Sequence, residues 1–129
     1  MIFEVSLPFC HLKFYNNLVV SSINEGITLT QKLSDEITNI ALKHFNDEDF
    51  IYITNRVNSY SVDPTVYFSV SKIENLKAFV VVSKQPISLQ NTEIEKLFLD
   101  KTFELFEDID TALSWSNKIL RENSKLKEN

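Results

Sequence analysis

Two short polar stretches of this chain each follow an apolar run and contain the side chains best suited to binding chemistry. The stretches are residues 54–63 and 83–88, and the candidate binding residues within them are Arg56, Tyr60, Ser61 and Lys84. If the two apolar runs are neighbouring parallel strands, both stretches emerge at the same edge of the sheet. An arginine fork there would bind an anionic group, and a tyrosine would cover the apolar part of the same molecule.

The same residue types also occur in loops that bind nothing. Asp63 followed by Pro64 is a typical start of a helix, and serines satisfy the backbone groups of turns. On this interpretation Arg56 and Lys84 are solvated surface charges. At the level of the sequence both interpretations are open, a binding site and ordinary loop chemistry.

Few other residues are equipped for catalysis. The chain has one glycine, Gly26, and one cysteine, Cys10. A single glycine excludes glycine-rich phosphate loops and glycine-flanked nucleophile elbows, and a single cysteine excludes disulfide frameworks and multi-cysteine zinc sites. Cys10 and His11 are adjacent, so in a strand they point to opposite faces and cannot act as nucleophile and base. We expect a protein that is not an enzyme, with no catalytic residue, metal ion or cofactor.

Net charge and hydropathy limit the classes of partner and the location that the sequence predicts. The 129 residues include 13 Lys and Arg against 18 Asp and Glu, a net charge of −5, and the basic residues are scattered. Nucleic-acid binding needs a concentrated positive face, so we expect none. The first residues lack the basic start and apolar stretch of a signal peptide, and the longest apolar run, 78–82, is too short to cross a bilayer. The sequence therefore predicts a cytoplasmic protein without an integral membrane segment.

The elements that would position the two polar stretches alternate between strands and helices, which predicts one α/β domain over residues 1–129 with a frayed tail at 123–129. The predicted strands are residues 2–7, 11–15, 18–23, 27–29, 50–54, 76–82 and 102–106. About four helices are predicted, near residues 33–45, 65–70, 88–99 and 109–120. The N-terminal strands should be antiparallel. The apolar strands 50–54 and 76–82 do not alternate, so they should be central, parallel and covered on both faces.

Local signals place the first helix and the turn before it. Leu33, Ile37 and Ala41 recur every four residues, which predicts one buried helix face. Thr28 and Gln31 have the spacing of a capping box at its start, and Asn46 is a suitable end. Residues 24–26, with a glycine that tolerates positive φ, predict the turn of a hairpin.

Four segments resemble the STAS-like, SpoIIAA-like superfamily, and the chain is most similar to the bacterial branch grouped with CRAL-TRIO lipid-transfer domains. The segments are residues 18–29 with the helix that follows, FIYITNR at 50–56, LKAFVVVS at 76–83 and FEDIDTALSW at 106–115. The resemblance covers about residues 16–120. It implies a SpoIIAA-like mixed sheet whose central strands are parallel. STAS domains of the antagonist type also carry a phosphoacceptor serine in the loop that corresponds to residues 54–63. By position Ser59 and Ser61 are the candidates, although the family's Asp-Ser-Ser-Gly signature is absent.

The resemblance implies two functions. The first is a non-enzymatic binding or interaction module with a regulatory role and a protein partner. A homodimer is compatible with this function. The alternative is a carrier or sensor of a small amphipathic or lipid-like ligand, with Tyr60, Tyr67 and Phe68 lining its pocket. A closed core without a cavity would favour the interaction module, and an aromatic-lined cavity would favour the carrier.

Overall fold

Eight strands and three helices occur in residues 2–84 and 99–128, the part of the chain that the computed structural model describes, with side chains up to residue 123. The strands are β1 (Phe3–Leu7), β2 (Cys10–Tyr15), β3 (Leu18–Ile23), β4 (Thr28–Leu29), β5 (Phe50–Asn55), β6 (Ser61–Val62), β7 (Leu76–Val82) and β8 (Thr102–Phe106). The helices are α1 (Gln31–Phe45), α2 (Thr65–Ser71) and α3 (Ile109–Glu128). The predicted helix near residues 88–99 lies almost entirely outside the described residues.

The main sheet contains six strands in the order β1-β2-β3-β5-β7-β8, which is also their order along the chain. β1, β2 and β3 pair antiparallel. β5 then pairs parallel with β3, β7 with β5, and β8 with β7. The mixed sheet is confirmed, with antiparallel strands first and the two non-alternating strands side by side in its interior.

Helices cover both faces of β5. Ile51 and Ile53 lie on one face, in a core cluster with Ala112 of α3. Phe50 lies on the other face, in a cluster with Ile37 and other residues of α1. Because successive side chains of a strand point to opposite faces, a strand covered by helices on both faces needs apolar residues at consecutive positions. Of the helices described, none has the length and apolarity that crossing a membrane requires.

Residues 24–26 do not form the predicted hairpin, although Gly26 has the expected positive φ of 77°. β3 already has β2 and β5 on its two sides, so no edge remains for the returning segment. β4 instead pairs in parallel with β6, the short strand inside the first polar stretch. The amide of Gly26 donates to the Ser59 carbonyl at 2.8 Å, and the amide of Ser61 donates to the Ile27 carbonyl at 2.9 Å. This small second sheet attaches the first polar stretch to the segment before α1.

The ends of α1 and the start of α2 are stabilised by residues adjacent to them in the sequence. Thr30 Oγ1 accepts the Leu33 amide at 3.3 Å, so Thr30 caps α1 and the predicted pair of Thr28 and Gln31 does not. Thr28 belongs to β4 and therefore has an extended backbone in a strand pair. Asn46 ends α1 with a positive φ of 59°, as predicted. α2 follows Asp63, whose Oδ1 accepts the Thr65 amide at 3.1 Å.

Candidate functional site

Arg56 stands at the carboxyl end of β5, where its side chain is held by a tyrosine. Its amide donates to the Val82 carbonyl at 2.8 Å, which extends the pairing of β5 with β7 by one residue. The Nε–H group donates to Tyr60 Oη at 3.0 Å, and the guanidinium carbon lies 5.3 Å from the centre of the tyrosine ring. Only 9% of Arg56 is exposed. A charged group is therefore fixed inside the fold, at the edge where ligands of open α/β sheets bind.

Tyr60 also connects Arg56 to the strand itself. Its Oη lies 2.8 Å from Thr54 Oγ1, so the tyrosine hydroxyl stands between the arginine and the threonine. Because Thr54 and Arg56 are two residues apart, they lie on the same face of the sheet, toward α1 and α2. Only 1% of Thr54 is exposed. The buried Thr54 and Arg56 and the half-buried Tyr60 form a connected polar group, which we call the Arg56 triad.

A cavity of about 40 Å³ lies beside the Arg56 triad, between the sheet, α1 and α2. All three residues of the triad line it. The rest of the lining is mainly apolar, with Ile37 and Ala41 from α1, Val66 and Val70 from α2, and Phe50 and Leu76 from the sheet. Phe50 and Leu76 are the first residues of β5 and β7, so the apolar lining continues to the opposite end of the strands from the triad.

Two further tyrosines line this cavity, and Tyr52 is the better defined. Its Oη lies 2.6 Å from Ser21 Oγ, on the neighbouring strand β3. Burial, with a smaller effect from Tyr60, raises the pKa of Tyr52 above its ordinary value, although the hydrogen bond with Ser21 acts in the opposite direction. The phenol is neutral at physiological pH. Tyr67 of α2 packs edge-on against Phe79 at the same cavity, with ring centres 5.9 Å apart.

The structure brings together Arg56 and Tyr60 of the predicted binding residues and separates the other two from the cavity lining. Ser61 is exposed on β6. Lys84 is exposed on the opposite side of the β7 end: the Ser83 amide donates to the Phe106 carbonyl of β8 at 2.9 Å, and the positive charge of Lys84 acts on Asp108 at the start of α3. The remainder of the second polar stretch, from residue 85 onward, lies outside the described residues.

Ser59 and Ser61, the candidate phosphoacceptors, are both exposed and differ in their surroundings. The Ser59 amide donates to a Glu25 carboxylate oxygen at 2.7 Å, so a phosphate on Ser59 would stand beside a negative charge. The Ser61 amide is used in the small second sheet, where it donates to a carbonyl. Geometry therefore favours Ser61 over Ser59 as an acceptor, and phosphorylation of either stays a prediction.

Tyr52 and Thr54 were not among the predicted binding residues, although their spacing in the sequence was a signal for both. Within residues 50–56, Tyr52, Thr54 and Arg56 are spaced two residues apart, and Asn55 is the one further polar residue. In a strand this spacing places all three on one face. The spacing of these hydroxyl and guanidinium groups was therefore visible in the sequence, and they lie on the face that lines the cavity.

The remaining reactive residue types have structural roles. Cys10 is buried, and burial with a smaller effect of the Glu36 charge raises the pKa of its thiol to about 11, so it is protonated at neutral pH. His11 binds Glu4 and Ser6, each at 2.9 Å. His44 packs edge-on against Phe14. Among the side chains that the structure describes, in residues 2–84 and 99–123, no three His, Cys, Asp or Glu are grouped closely enough to hold a metal ion.

The acidic residues before α3 are also accounted for by local structure. Asp108 accepts both the amide and the hydroxyl of Thr111, at 2.8 and 3.0 Å. These hydrogen bonds lower the pKa of Asp108 below its ordinary value. Asp108 is therefore a helix cap.

Comparison with known proteins supports the architecture. No protein-family model matches the chain. A search of curated proteins also finds no match. The chain is similar to the crystal structure of an uncharacterised protein from Shewanella loihica PV-4, described as a DUF3478 family member with a SpoIIAA-like fold. The two are 12% identical and superpose with a TM-score of 0.56, over 83% of this chain and 91% of that one. The likeness, together with the strand order, shows that this chain adopts a SpoIIAA-like fold.

Proposed function

We propose that this protein binds a small amphipathic molecule in the cavity between the sheet, α1 and α2, with Arg56 holding an anionic group of that molecule. One observation carries the proposal: a buried guanidinium lines one end of a cavity whose other walls are mainly apolar. Ligand pockets typically combine a mainly apolar lining with a few fixed polar groups that orient the ligand. The Arg56 triad supplies such a polar group here.

The positive charge of Arg56 makes the polar end of the cavity favour an anionic group. Moving a charged group out of water costs several kcal/mol, so a buried guanidinium needs hydrogen-bond partners, of which Tyr60 is one. An anion beside Arg56 in the same low-dielectric space is attracted more strongly than one at an exposed arginine. Arg56 keeps its charge at every physiological pH, so the preference for an anion is permanent.

The cavity favours a ligand carrier or sensor over a module that acts only through its surface. Aromatic side chains line it, as the carrier alternative expected. Tyr60 and Tyr67 lie in the lining, and Tyr52 adds a third ring. Phe68 was expected there too, but it is largely exposed on α2. A protein partner, a homodimer and a cytoplasmic location stay predictions.

A non-enzymatic role forms part of the same proposal. The thiol of Cys10 is protonated and buried, and His11 and His44 are engaged in contacts away from the cavity. The polar groups in the described lining of the cavity are one arginine and the hydroxyls of serine, threonine and tyrosine residues. Such groups bind and orient a ligand, and they are poor general bases.

A cavity-filling variant tests the proposal. Ala41→Leu places three additional carbon atoms into the space beside Ile37, while Asn39→Leu adds a leucine to the exposed side of the same helix. Short aliphatic acids, alcohols and phosphates are titrated into ¹⁵N-labelled protein, and the amide resonances of β5 and α2 are followed. We expect saturable shifts with at least one class for the parent and for Asn39→Leu, and none for Ala41→Leu. If no class shifts the parent resonances, the proposal is wrong.

A further inference from the structure

We infer that two copies of this chain associate through β1, whose strands pair antiparallel about a two-fold axis at Val5 and join the two main sheets into one. The inference concerns the edge of the sheet and is independent of the cavity and its ligand. It follows from an open edge strand, an apolar row along that strand and a charge pattern that selects one register.

β1 lies at one edge of the main sheet, where β2 is its single strand neighbour among the described residues. In an antiparallel pair, alternate residues direct their N–H and C=O groups away from the neighbouring strand, so β1 presents hydrogen-bonding groups along its outer edge. The register of β1 with β2 is continuous over five residue pairs, without a bulge. β1 also contains no proline or lysine, which commonly prevent an edge strand from pairing. This edge can therefore accept another strand.

An apolar row runs along the same strand. Phe3, Val5 and Leu7 pack against the core beneath α1, yet all three stay half-exposed at the edge of the sheet. Ile2, just before the strand, is 55% exposed. A second β1 in antiparallel orientation brings each residue of the row opposite an apolar residue of the same row. The pairing therefore removes apolar surface from water on both copies.

Symmetry limits the possible registers. A two-fold axis between antiparallel edge strands stands perpendicular to the sheet, so the faces covered by α1 stay on the same side. Opposite residues of an antiparallel pair lie on one face, and side chains alternate between faces along a strand. The axis must therefore pass through a residue of β1, and the central candidates are Glu4, Val5 and Ser6.

Charge and length exclude two of these registers. An axis at Glu4 places the two Glu4 carboxylates directly opposite each other, which is destabilising. An axis at Ser6 pairs only three residues of each β1 and places the partner's Pro8, which has no N–H group, opposite Glu4. Neither register uses the whole strand without a conflict.

An axis at Val5 pairs all five residues of β1. Val5 lies opposite the partner's Val5, and Phe3 lies opposite the partner's Leu7, so the apolar row meets itself. Glu4 lies opposite the partner's Ser6. Apolar and polar pairs therefore alternate across the new strand pair as the two faces of the sheet require.

Glu4 carries the only charge of β1, and its own chain compensates that charge. Its Oε2 lies 2.9 Å from His11 Nε2, and Lys13 is its register partner on β2. In the Val5 register a neutral hydroxyl, that of the partner's Ser6, stands on its open side. No like charges face each other across this strand pair.

The interface is small, so we expect a weak dimer. A strand pair of five residues buries less surface than the roughly 800 Å² per partner of a stable complex. The net charge of −5 on each copy also opposes association. The dissociation constant should be on the order of 10–100 μM at physiological salt.

Sedimentation equilibrium from micromolar to submillimolar protein tests the register through charge. Ser6→Lys places a lysine opposite the partner's Glu4, twice by symmetry, and should strengthen the dimer about three- to tenfold. Ser6→Glu places a like charge there and should weaken it by a similar factor. Thr102→Lys and Thr102→Glu make the same changes of net charge at an exposed residue of β8, the opposite edge of the sheet, and are the controls. They should stay within about twofold of the parent.

Cysteine trapping tests the position of the axis. Val5→Cys should form a covalent dimer under mild oxidation, because the axis brings this position next to its own copy. Glu4→Cys and Ser6→Cys should cross-link more readily when mixed than when oxidised separately. The native Cys10 is buried, and the parent protein is the control.

Contrary results are equally specific. A parent protein that is monomeric at submillimolar concentration overturns the inference. A dimer that responds to the Thr102 changes as strongly as to the Ser6 changes overturns the assigned edge. Faster cross-linking of Ser6→Cys alone than of Val5→Cys overturns the register. Ser6 is exposed, so the charge comparison does not depend on a variant with an altered core.

Discussion

Ser21 Oγ and Tyr52 Oη lie 2.6 Å apart, and this hydrogen bond connects β3 to β5 inside the sheet. Ser21 has no exposed surface. Its register partner on β5 is Thr54, so the bond to Tyr52 runs diagonally between the two strands. The bond orients the Tyr52 ring of the cavity lining from β3, a strand that has no residue in the described lining.

Ser21→Ala should therefore lower the free energy of unfolding by about 1–2 kcal/mol, because it leaves the Tyr52 hydroxyl in the interior without its serine partner. Ser22→Ala, at the less buried neighbouring serine, is the matched control and should change stability by less than about 0.5 kcal/mol. Urea denaturation measures both. In the double variant Ser21→Ala/Tyr52→Phe the cost should be smaller than the sum of the single changes. Strict additivity would show that the two hydroxyls do not interact.

Tyr60→Phe should cost about 1.5–3 kcal/mol, because the Arg56 Nε–H loses the oxygen that accepts it inside the protein. Tyr15→Phe is the control, since Tyr15 is a half-buried tyrosine on the opposite side of the sheet, in the cluster packed against α3. Thermal and urea unfolding of both variants give the comparison. Equal stability of Tyr60→Phe and the parent would mean that the hydroxyl does not support Arg56.

Thr30→Ala should lower the unfolding free energy by about 1 kcal/mol through loss of the α1 cap. Thr28→Ala changes the residue that the sequence pattern selected, and in the structure Thr28 is an exposed residue of β4. Its effect should be at most half as large. A larger loss of unfolding free energy for Thr28→Ala than for Thr30→Ala in urea denaturation would show that Thr28, as the sequence pattern predicted, caps α1.

Ile37→Asp should prevent stable folding. Ile37 is 4% exposed in the core between α1 and the sheet, and an unpaired carboxylate there costs several kcal/mol, comparable to the total stability of a domain of this size. Asn39→Asp introduces the same side chain on the exposed side of α1 and should fold normally. Far-ultraviolet circular dichroism during heating separates the two. A cooperative melt of Ile37→Asp at the parent temperature would contradict the assigned core.

Stability should fall as the pH rises from 8 to 10, in part through Cys10. Burial, with a smaller effect of Glu36, raises the pKa of this thiol from 9.0 to about 11. The folded state therefore keeps its proton while the unfolded state releases it, and stability is lost as the pH rises through the unfolded value. The expected loss is up to about 1 kcal/mol over this interval. Cys10→Ala lacks the titration, so its urea midpoint should change less between pH 8 and 10. An identical pH dependence for both proteins would exclude the thiol as the cause.

The predictions that succeeded rest on patterns that burial imposes directly. The runs at 50–54 and 76–82 have apolar residues at consecutive positions because helices cover both faces, so their central parallel placement could be predicted. The end of α1 at Asn46 could also be predicted from a local signal, since asparagine tolerates positive φ. Local patterns could not predict the partner of β4. Its pairing with β6 depends on the whole sheet, because β2 and β5 already occupy both edges of β3.

The candidate site was predictable in part for the same reason. Arg56 and Tyr60 are four residues apart, and the turn that brings them together lies within one loop. Lys84 belongs to another loop. The side of the sheet on which it lies depends on which neighbouring strand the backbone after β7 pairs with. The Ser83 amide pairs with β8, which carries Lys84 toward Asp108 and away from the cavity. No pattern within residues 83–88 distinguishes these two directions.

The arrangement of the sheet in chain order has a consequence for synthesis on the ribosome. Each strand of the main sheet pairs with the strand made before it, so the sheet can grow from β1 toward β8 as the chain emerges. α3 is made after every strand of that sheet, and it covers the face that carries Ile51, Ile53 and Val80. Until α3 has left the ribosome this apolar face is open to water. The nascent chain therefore passes through a stage at which chaperones can bind this face, and folding is completed only after the last strand has been made.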